Sequence, residues 1–302
     1  MRGRWRLGLL LLCSFSAAFA RGDVRVCQHD PSKYAYRIEL SNLILARTAA
    51  RYGERRIIPS EAADPSQDRC LAMLREGLVD LAYVPPTDER LRKFRVLPFD
   101  LHNGMLGYRV LLIRRDDAAR FARVRSLDDL RQLRGGFGKH WGDFPLFDRN
   151  RLPVVGVANP DNLLPMLSRG RFDYYHRGLH EAWRELEAHQ EAHPGLMVEP
   201  HLALVYDLPV FFTFNLQDEE LQQRFREGLE QIRADGSFRA LFLAHFGQLV
   251  EMARLHARTL LPIDHPSATG LPAPDSSLWL RAPERAHDSR ASTDEQRSSN
   301  AP

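Results

Sequence analysis

One phrase occurs twice in this chain, 93 residues apart. Met73-Leu74-Arg75-Glu76-Gly77-Leu78-Val79-Asp80-Leu81 is echoed by Met166-Leu167-Ser168-Arg169-Gly170-Arg171-Phe172-Asp173-Tyr174. Each copy reads as the end of an amphipathic helix, a glycine, and a strand opened by aspartate. A helix that stops and turns sharply places a residue just past its cap in the left-handed region, where glycine is at ease. Each copy also has a start signal. Asp64-Pro65-Ser66-Gln67 offers a cap, a proline at the first helical position and a glutamine three after the cap, and Asn159-Pro160 repeats the cap and the proline. The spacing exceeds the ~20–50-residue period of solenoid repeats. It predicts two lobes of one architecture, and two similar lobes make a cleft.

The N-terminus carries an export signal. Arg2, Arg4 and Arg6 precede a mainly apolar run over residues 7–19, and Ala18-Phe19-Ala20 is an A-x-A cleavage site. Together they predict a secretory signal peptide over residues 1–20, cleaved after Ala20. The run is shorter than the roughly 20 apolar residues of a membrane span, and Leu12 precedes Cys13 where lipid attachment wants a small residue. Removing residues 1–20 removes three arginines and no acid, leaving 39 basic against 39 acidic side chains. That balance gives no argument for nucleic acid as a partner. The remaining length suits about two domains of ~100–150 residues. Two cysteines remain, Cys27 and Cys70, and in an oxidising compartment they read either as a disulfide or as buried thiols.

Residues 24–27 alternate as a first strand, residues 36–52 carry helical apolar spacing up to Gly53, and residues 56–58 and 78–84 read as further strands. Strands alternating with helices predict an α/β fold with doubly wound sheets. Residues 108–114 (YRVLLIR) are read as the crossing to the second lobe, and residues 202–215 as the return, with hinges over 108–114 and 204–211. Ser126-Leu127-Asp128-Asp129 is a helix-start box whose helix closes at Gly135-Gly136-Phe137-Gly138. Residues 218–232 and 238–246 are closing helices. From Pro262 onward Pro, Ser, Ala and charges dominate without periodicity, which predicts a disordered tail over 262–302.

Four stretches, in this order, resemble the periplasmic solute-binding proteins of family 3, bilobed type II binders of polar amino acids and related solutes. They are residues 74–90 (LREGLVDLAYVPPTDER), 126–133 (SLDDLRQL), 167–173 (LSRGRFD) and 229–247 (LEQIRADGSFRALFLAHFG). The resemblance covers roughly residues 24–250. It implies a Venus-flytrap of two similar doubly wound lobes, lobe one from 24–107 plus 211–258 and lobe two from 108–210. It also implies a periplasmic monomer that delivers a small solute to a membrane permease or a sensor kinase. The family's carboxylate-binding arginine falls on Arg90, within Thr87-Asp88-Glu89-Arg90. Two departures stand out. The preceding loop, rich in Ser, Thr and Gly in the family, is Val84-Pro85-Pro86 here, and Gly178 stands where amino-acid binders place an acid for the ammonium group.

In doubly wound sheets, ligands sit outside the carboxyl ends of the strands. That places Tyr83 to Arg90 and Tyr174 to Glu181 across a cleft from one another. Arg90, with Thr87 beside it, offers a planar fork to a carboxylate; Arg177 is a second cation, open equally to an ion pair between lobes. Trp141 is a stacking face and Lys139 a charge on a loop whose amides suit an anion. Tyr34 and Tyr36, just beyond the first strand, are read either as an aromatic wall or as simple packing, and Tyr83 is a further ligand-binding candidate. His176 and His180 are four apart, as on one helix face, but zinc needs three or four converging ligands, and no metal or other cofactor is expected. Glu181 is the acid or base of an alternative reading, a dehydratase-like periplasmic enzyme. A non-binding accessory protein with a degenerate pocket is the third. The expected function is binding of a small, carboxylate-bearing, amino-acid-like solute, with no catalysis.

Overall fold

The computed structural model describes residues 22–61, 64–266 and 276–280. The expected signal peptide and most of the expected tail lie outside the described residues. The chain opens with β1 (Val24–Val26), α1 (Pro31–Arg47), α2 (Ala49–Tyr52), β2 (Ile57–Pro59), α3 (Gln67–Arg75), β3 (Leu81–Val84), α4 (Asp88–Lys93) and β4 (Arg95–Leu97). A second sheet follows, with β5 (Tyr108–Arg114), α5 (Ala118–Phe121), α6 (Leu127–Leu130), β6 (Gly135–Gly138), α7 (Pro145–Arg149) and β7 (Val154–Val157). It continues through α8 (Leu163–Ser168), β8 (Tyr174–Gly178), α9 (Leu179–Ala188), β9 (Leu196–Val198) and β10 (Leu202–Val205). The chain returns with β11 (Phe211–Phe214), α10 (Glu219–Ala234) and α11 (Ser237–Ala253), then sends β12 (Thr259–Pro262) back to the second sheet.

Lobe one holds a five-stranded sheet in the order β2-β1-β3-β11-β4, and lobe two a seven-stranded sheet running β12-β10-β5-β8-β6-β7 with β9 on β5. β1 is parallel to β2 and β3, and β6 is parallel to β7 and β8, so each lobe presents strand carboxyl ends on one edge. β11 runs antiparallel between β3 and β4, as does β5 against β8. Among the described residues no helix is long and apolar enough to cross a membrane.

The repeated phrase makes the same device twice. Gly77 and Gly170 adopt φ of +71° and +69°. Leu78 donates its N–H to the Met73 carbonyl at 2.9 Å and Arg171 to Met166 at 3.0 Å, which is the closing bond of a Schellman cap in each copy. The aspartate then fixes the neighbouring strand: Asp80 Oδ2 accepts the Arg25 N–H at 2.8 Å, and Asp173 Oδ2 accepts the Arg134 N–H at 2.7 Å. The start signals differ in detail. Ser66, not Asp64, caps α3, while Asp64 accepts the backbone N–H of His29; Asn159 caps its own turn through Asp161.

Three sequence expectations need correction. Residues 135–138 are a buried strand and not a helix stop. Glycine is poor in strands because it packs nothing, yet a Cβ at Gly136 would lie inside the Phe172 ring and one at Gly138 against the Trp141 indole. Aromatic rings from elsewhere supply the packing that β6 lacks. Residues 108–114 are likewise no hinge: β5 is bonded to β8, β9 and β10. The lobes are joined instead by residues 98–107 and 206–210, bonded to each other through Leu101 N–H to Val210 O at 3.0 Å and Tyr206 N–H to Gly107 O at 3.1 Å, and by residues 254–258 leading into β12.

The third correction concerns the tail. Residues 262–266 extend from β12, with Ile263 buried and bonded to Val205. Residues 276–280 dock as well. Trp279 is 3% exposed, donates Nε1–H to the Asn103 carbonyl at 2.8 Å and sets its ring edge-on to Tyr108 at 5.1 Å. A segment without periodicity has no core of its own, but one tryptophan buries against someone else's.

Candidate functional site

At the carboxyl ends of β6 and β8 lies a cavity of about 530 Å³. Arg109, Trp141, Asp143, His176, Arg177 and Glu181 form its polar and aromatic wall. Antiparallel pairing brings Arg109 of β5 opposite Gly178 of β8. A Cβ at Gly178 would stand 2.7 Å from the Arg109 guanidinium, so glycine is what lets that cation pass. An acid does stand three residues later. Glu181, in the first turn of α9, folds back so that Oε2 accepts the Gly178 N–H at 3.0 Å.

The cavity's charges are paired. Arg109 reaches Asp143 at 3.1 Å, Glu181 at 3.3 Å and the Tyr206 hydroxyl at 2.7 Å, and that hydroxyl donates to Asp143 at 2.7 Å. Burial opposes the charge on Arg109, but Tyr206, Asp143 and Glu181 more than offset it and raise its pKa. Arg177 bonds Glu185 at 2.6 Å and meets Glu181 at 3.3 Å, with its guanidinium 5.1 Å from the Trp141 ring centre. Burial favours neutral Glu181, yet Arg177, His180 and Arg109 outweigh it and hold the carboxyl below the ordinary glutamate range. An ionised carboxylate has no proton to give, which disfavours Glu181 as a general acid but not as a base.

His176 is the exception. It is 2% exposed, packed against Phe137 at 4.3 Å and Phe147 at 5.2 Å, and neither ring nitrogen has a hydrogen-bond partner. Burial, with Arg109 and Arg177 adding, pushes its pKa well down, so the ring is neutral. A buried imidazole with two unmade bonds is costly to the fold. His176 lies in the middle of β8 and His180 in the first turn of α9, so the spacing of four does not put them on one face, and they line different cavities. Among the described residues no group of three or more His, Cys, Asp or Glu is placed to hold a metal ion.

Of the residues singled out by sequence, the structure brings Trp141 and Arg177 onto the cavity wall; Lys139 is exposed on the same loop but not on the wall. Tyr83 is not available: it is 1% exposed, its hydroxyl bonds Ser41 and its ring packs on Phe212 in lobe one's core. Strand alternation put it inward. Tyr34 is half-buried under the Arg37 guanidinium, 5.4 Å away. Thr87 caps α4 by accepting the Arg90 N–H, and Arg90 itself donates to the Pro85 carbonyl at 2.7 Å and to Gln67 at 3.2 Å. Thr87 and Arg90 follow β3's carboxyl end but do not wall this cavity. Cys27 and Cys70 stand paired as a disulfide, Cα atoms 5.9 Å apart, behind β1 and β3. Sequence reasoning missed Arg109 and Asp143. The signal for Arg109 was a lone cation opening an apolar run, read as the edge of a hinge.

Two mixed α/β sheets in two lobes, linked by crossings of the chain, make the bilobed periplasmic-binding-protein fold. Solved structures agree. An ancestral arginine-binding protein bound to arginine superposes with a TM-score of 0.50 at 16% identity, over 74% of this chain and 97% of its own. The YckB protein of Bacillus subtilis gives 0.52 at 18% identity, covering 80% and 97%. The second substrate-binding domain of Lactococcus lactis GlnP, in an open conformation, gives 0.50 at 14% identity, covering 74% and 94%. At these identities the likeness is one of fold. No family model matches the chain, and no curated protein matches it.

Proposed function

We propose that this chain is a periplasmic solute-binding protein whose lobes close on one small, amino-acid-like zwitterion. The observation that carries the reading is the convergence, at the ends of β6 and β8, of a guanidinium on an indole, two carboxylates and an unpartnered buried imidazole. Asp143 and Glu181 are suited to an ammonium group, the half of amino-acid recognition that Gly178 does not provide. Arg177 and, from lobe one, Arg90 are suited to the carboxylate, because a guanidinium offers a bidentate fork. His176 would complete the set with a bond to a polar side-chain atom of the solute. The fold likeness to proteins that bind arginine and glutamine supports the class. The closed form would be read by a permease or a membrane sensor, and the solute would leave unchanged.

The test is thermal shift against the amino acids, alongside the matching deaminated acids and decarboxylated amines. The reading expects stabilisation only where both charged groups are present, and its loss in Trp141→Ala. Equal stabilisation by the deaminated acids would remove the ammonium half, and silence across the panel would remove the reading.

A further inference from the structure

A second cavity, about 220 Å³, lies between the lobes and shares no wall residue with the first. Lobe one contributes Lys33 and Arg37 from α1, His102 from the first crossing and His245 from α11; lobe two contributes His180 and Arg184 from α9. No aspartate or glutamate is on its wall. Lys33 is paired with Asp30 at 3.0 Å and His245 with Glu39 at 2.9 Å. Arg37 has nothing comparable. Its Nε is buried with no hydrogen-bond partner, and among the described residues no ion pair holds it. The nearby acid, Asp100, is bonded instead to the backbone N–H groups of His102, Gly104 and Val210. His102 is 4% exposed and its Nδ1 also has no partner.

Arg37 is half-buried, and a guanidinium nitrogen shut away from water is stable only when charge and hydrogen bonds compensate it. One tyrosine face, the Tyr34 ring 5.4 Å away, is weak compensation. We infer that this cavity is an anion site, separate from the zwitterion cavity, that takes one oxyanion on the Arg37 fork with His102 and His180 donating from their rings. The ligand group is a carboxylate or a phosphate, both of which accept a bidentate arginine. Because α1 and α9 belong to different lobes, the bound oxyanion ties them together and favours the closed arrangement. The site stands independently of whether the first cavity takes an amino acid.

Isothermal titration of the exported chain with inorganic phosphate and with succinate, at ionic strength matched with sodium chloride, tests it. The expected result is saturable binding of at least one probe. Phosphate alone or succinate alone would name the source of the oxyanion, and both would mean that the site reads the shared group. Arg37→Gln should weaken that binding by about ten- to 150-fold, the value of one or two charge-assisted bonds. Arg37→Lys should keep part of it, since it retains the charge and loses the fork. No saturable binding of either probe overturns the inference, as does wild-type affinity in a folded Arg37→Gln.

Discussion

Replacing Trp279 by alanine should cost the protein stability that its position near the C-terminus conceals. The indole is 3% exposed, its N–H bonds the Asn103 carbonyl, and its edge meets Tyr108 where lobe one's crossing enters β5. Truncating a buried tryptophan costs about 3–5 kcal/mol, part of it the cavity and part the carbonyl left unpaired. For a folded body of 150–250 residues that is about 2–4 °C per kcal/mol, hence a fall of about 6–20 °C in Tm. The loss has a ceiling. Once the segment detaches, further damage to it is invisible to the body, so truncation after Pro266 sets the largest effect Trp279→Ala can have. Differential scanning calorimetry of wild type, Trp279→Ala and the truncation is the assay. The two variants should lose similar amounts, because one side chain does the docking. A shift within about 2 °C of wild type for both would refute this reasoning and restore the tail to an idle segment.

His176→Phe should raise Tm while abolishing solute binding, because it replaces two unmade hydrogen bonds with a ring that the Phe137–Phe147 stack accepts. The gain should be larger at pH 5 than at pH 7.5: the folded pKa lies well below the unfolded 6.5, so the imidazole's contribution is lost as pH falls from about 6.5, and His102 and His180 act with the same sign. Calorimetry at the two pH values decides it, and an equal gain at both contradicts the assignment. The Cys27–Cys70 bridge, closing a separation of 43 residues, should contribute about 4 kcal/mol in the chain-entropy model. Two alkylatable thiols in denatured, unreduced protein would end that expectation. Arg90→Ala should weaken the solute by about ten- to 150-fold while the exposed Arg92→Ala binds normally; equal affinities by titration would confine the site to lobe two.

Much of this fold was legible because its signals are local. The paired glycines of the repeated phrase mark left-handed caps that a sequence cannot disguise, and the strand–helix alternation follows from them. The capping box at Ser126 reads the same way in both views. What failed to show needed a partner from far along the chain. β6 is four residues, three of them glycine, and makes sense only with Phe172 and Trp141 pressed onto it. Residues 108–114 were apolar enough to be either a crossing or a strand, and the ladders to β8 and β10 decided it. The site divides likewise. Trp141 follows β6 and Arg177 is in the last two residues of β8, positions that sequence alone could assign to the carboxyl ends of strands. Arg109 and Asp143 are joined through Tyr206, 97 and 63 residues away, a triangle that no motif announces.

The proposed function requires the protein to hold one small solute. Mass spectrometry of whatever gently purified protein releases on denaturation is the decisive measurement. The expected result is a single species, close to one per chain, bearing both a carboxylate and an amine, whose rebinding restores the thermal shift and is lost in Trp141→Ala. Release of nothing, together with no thermal shift from any amino acid supplied in excess, would contradict the claim.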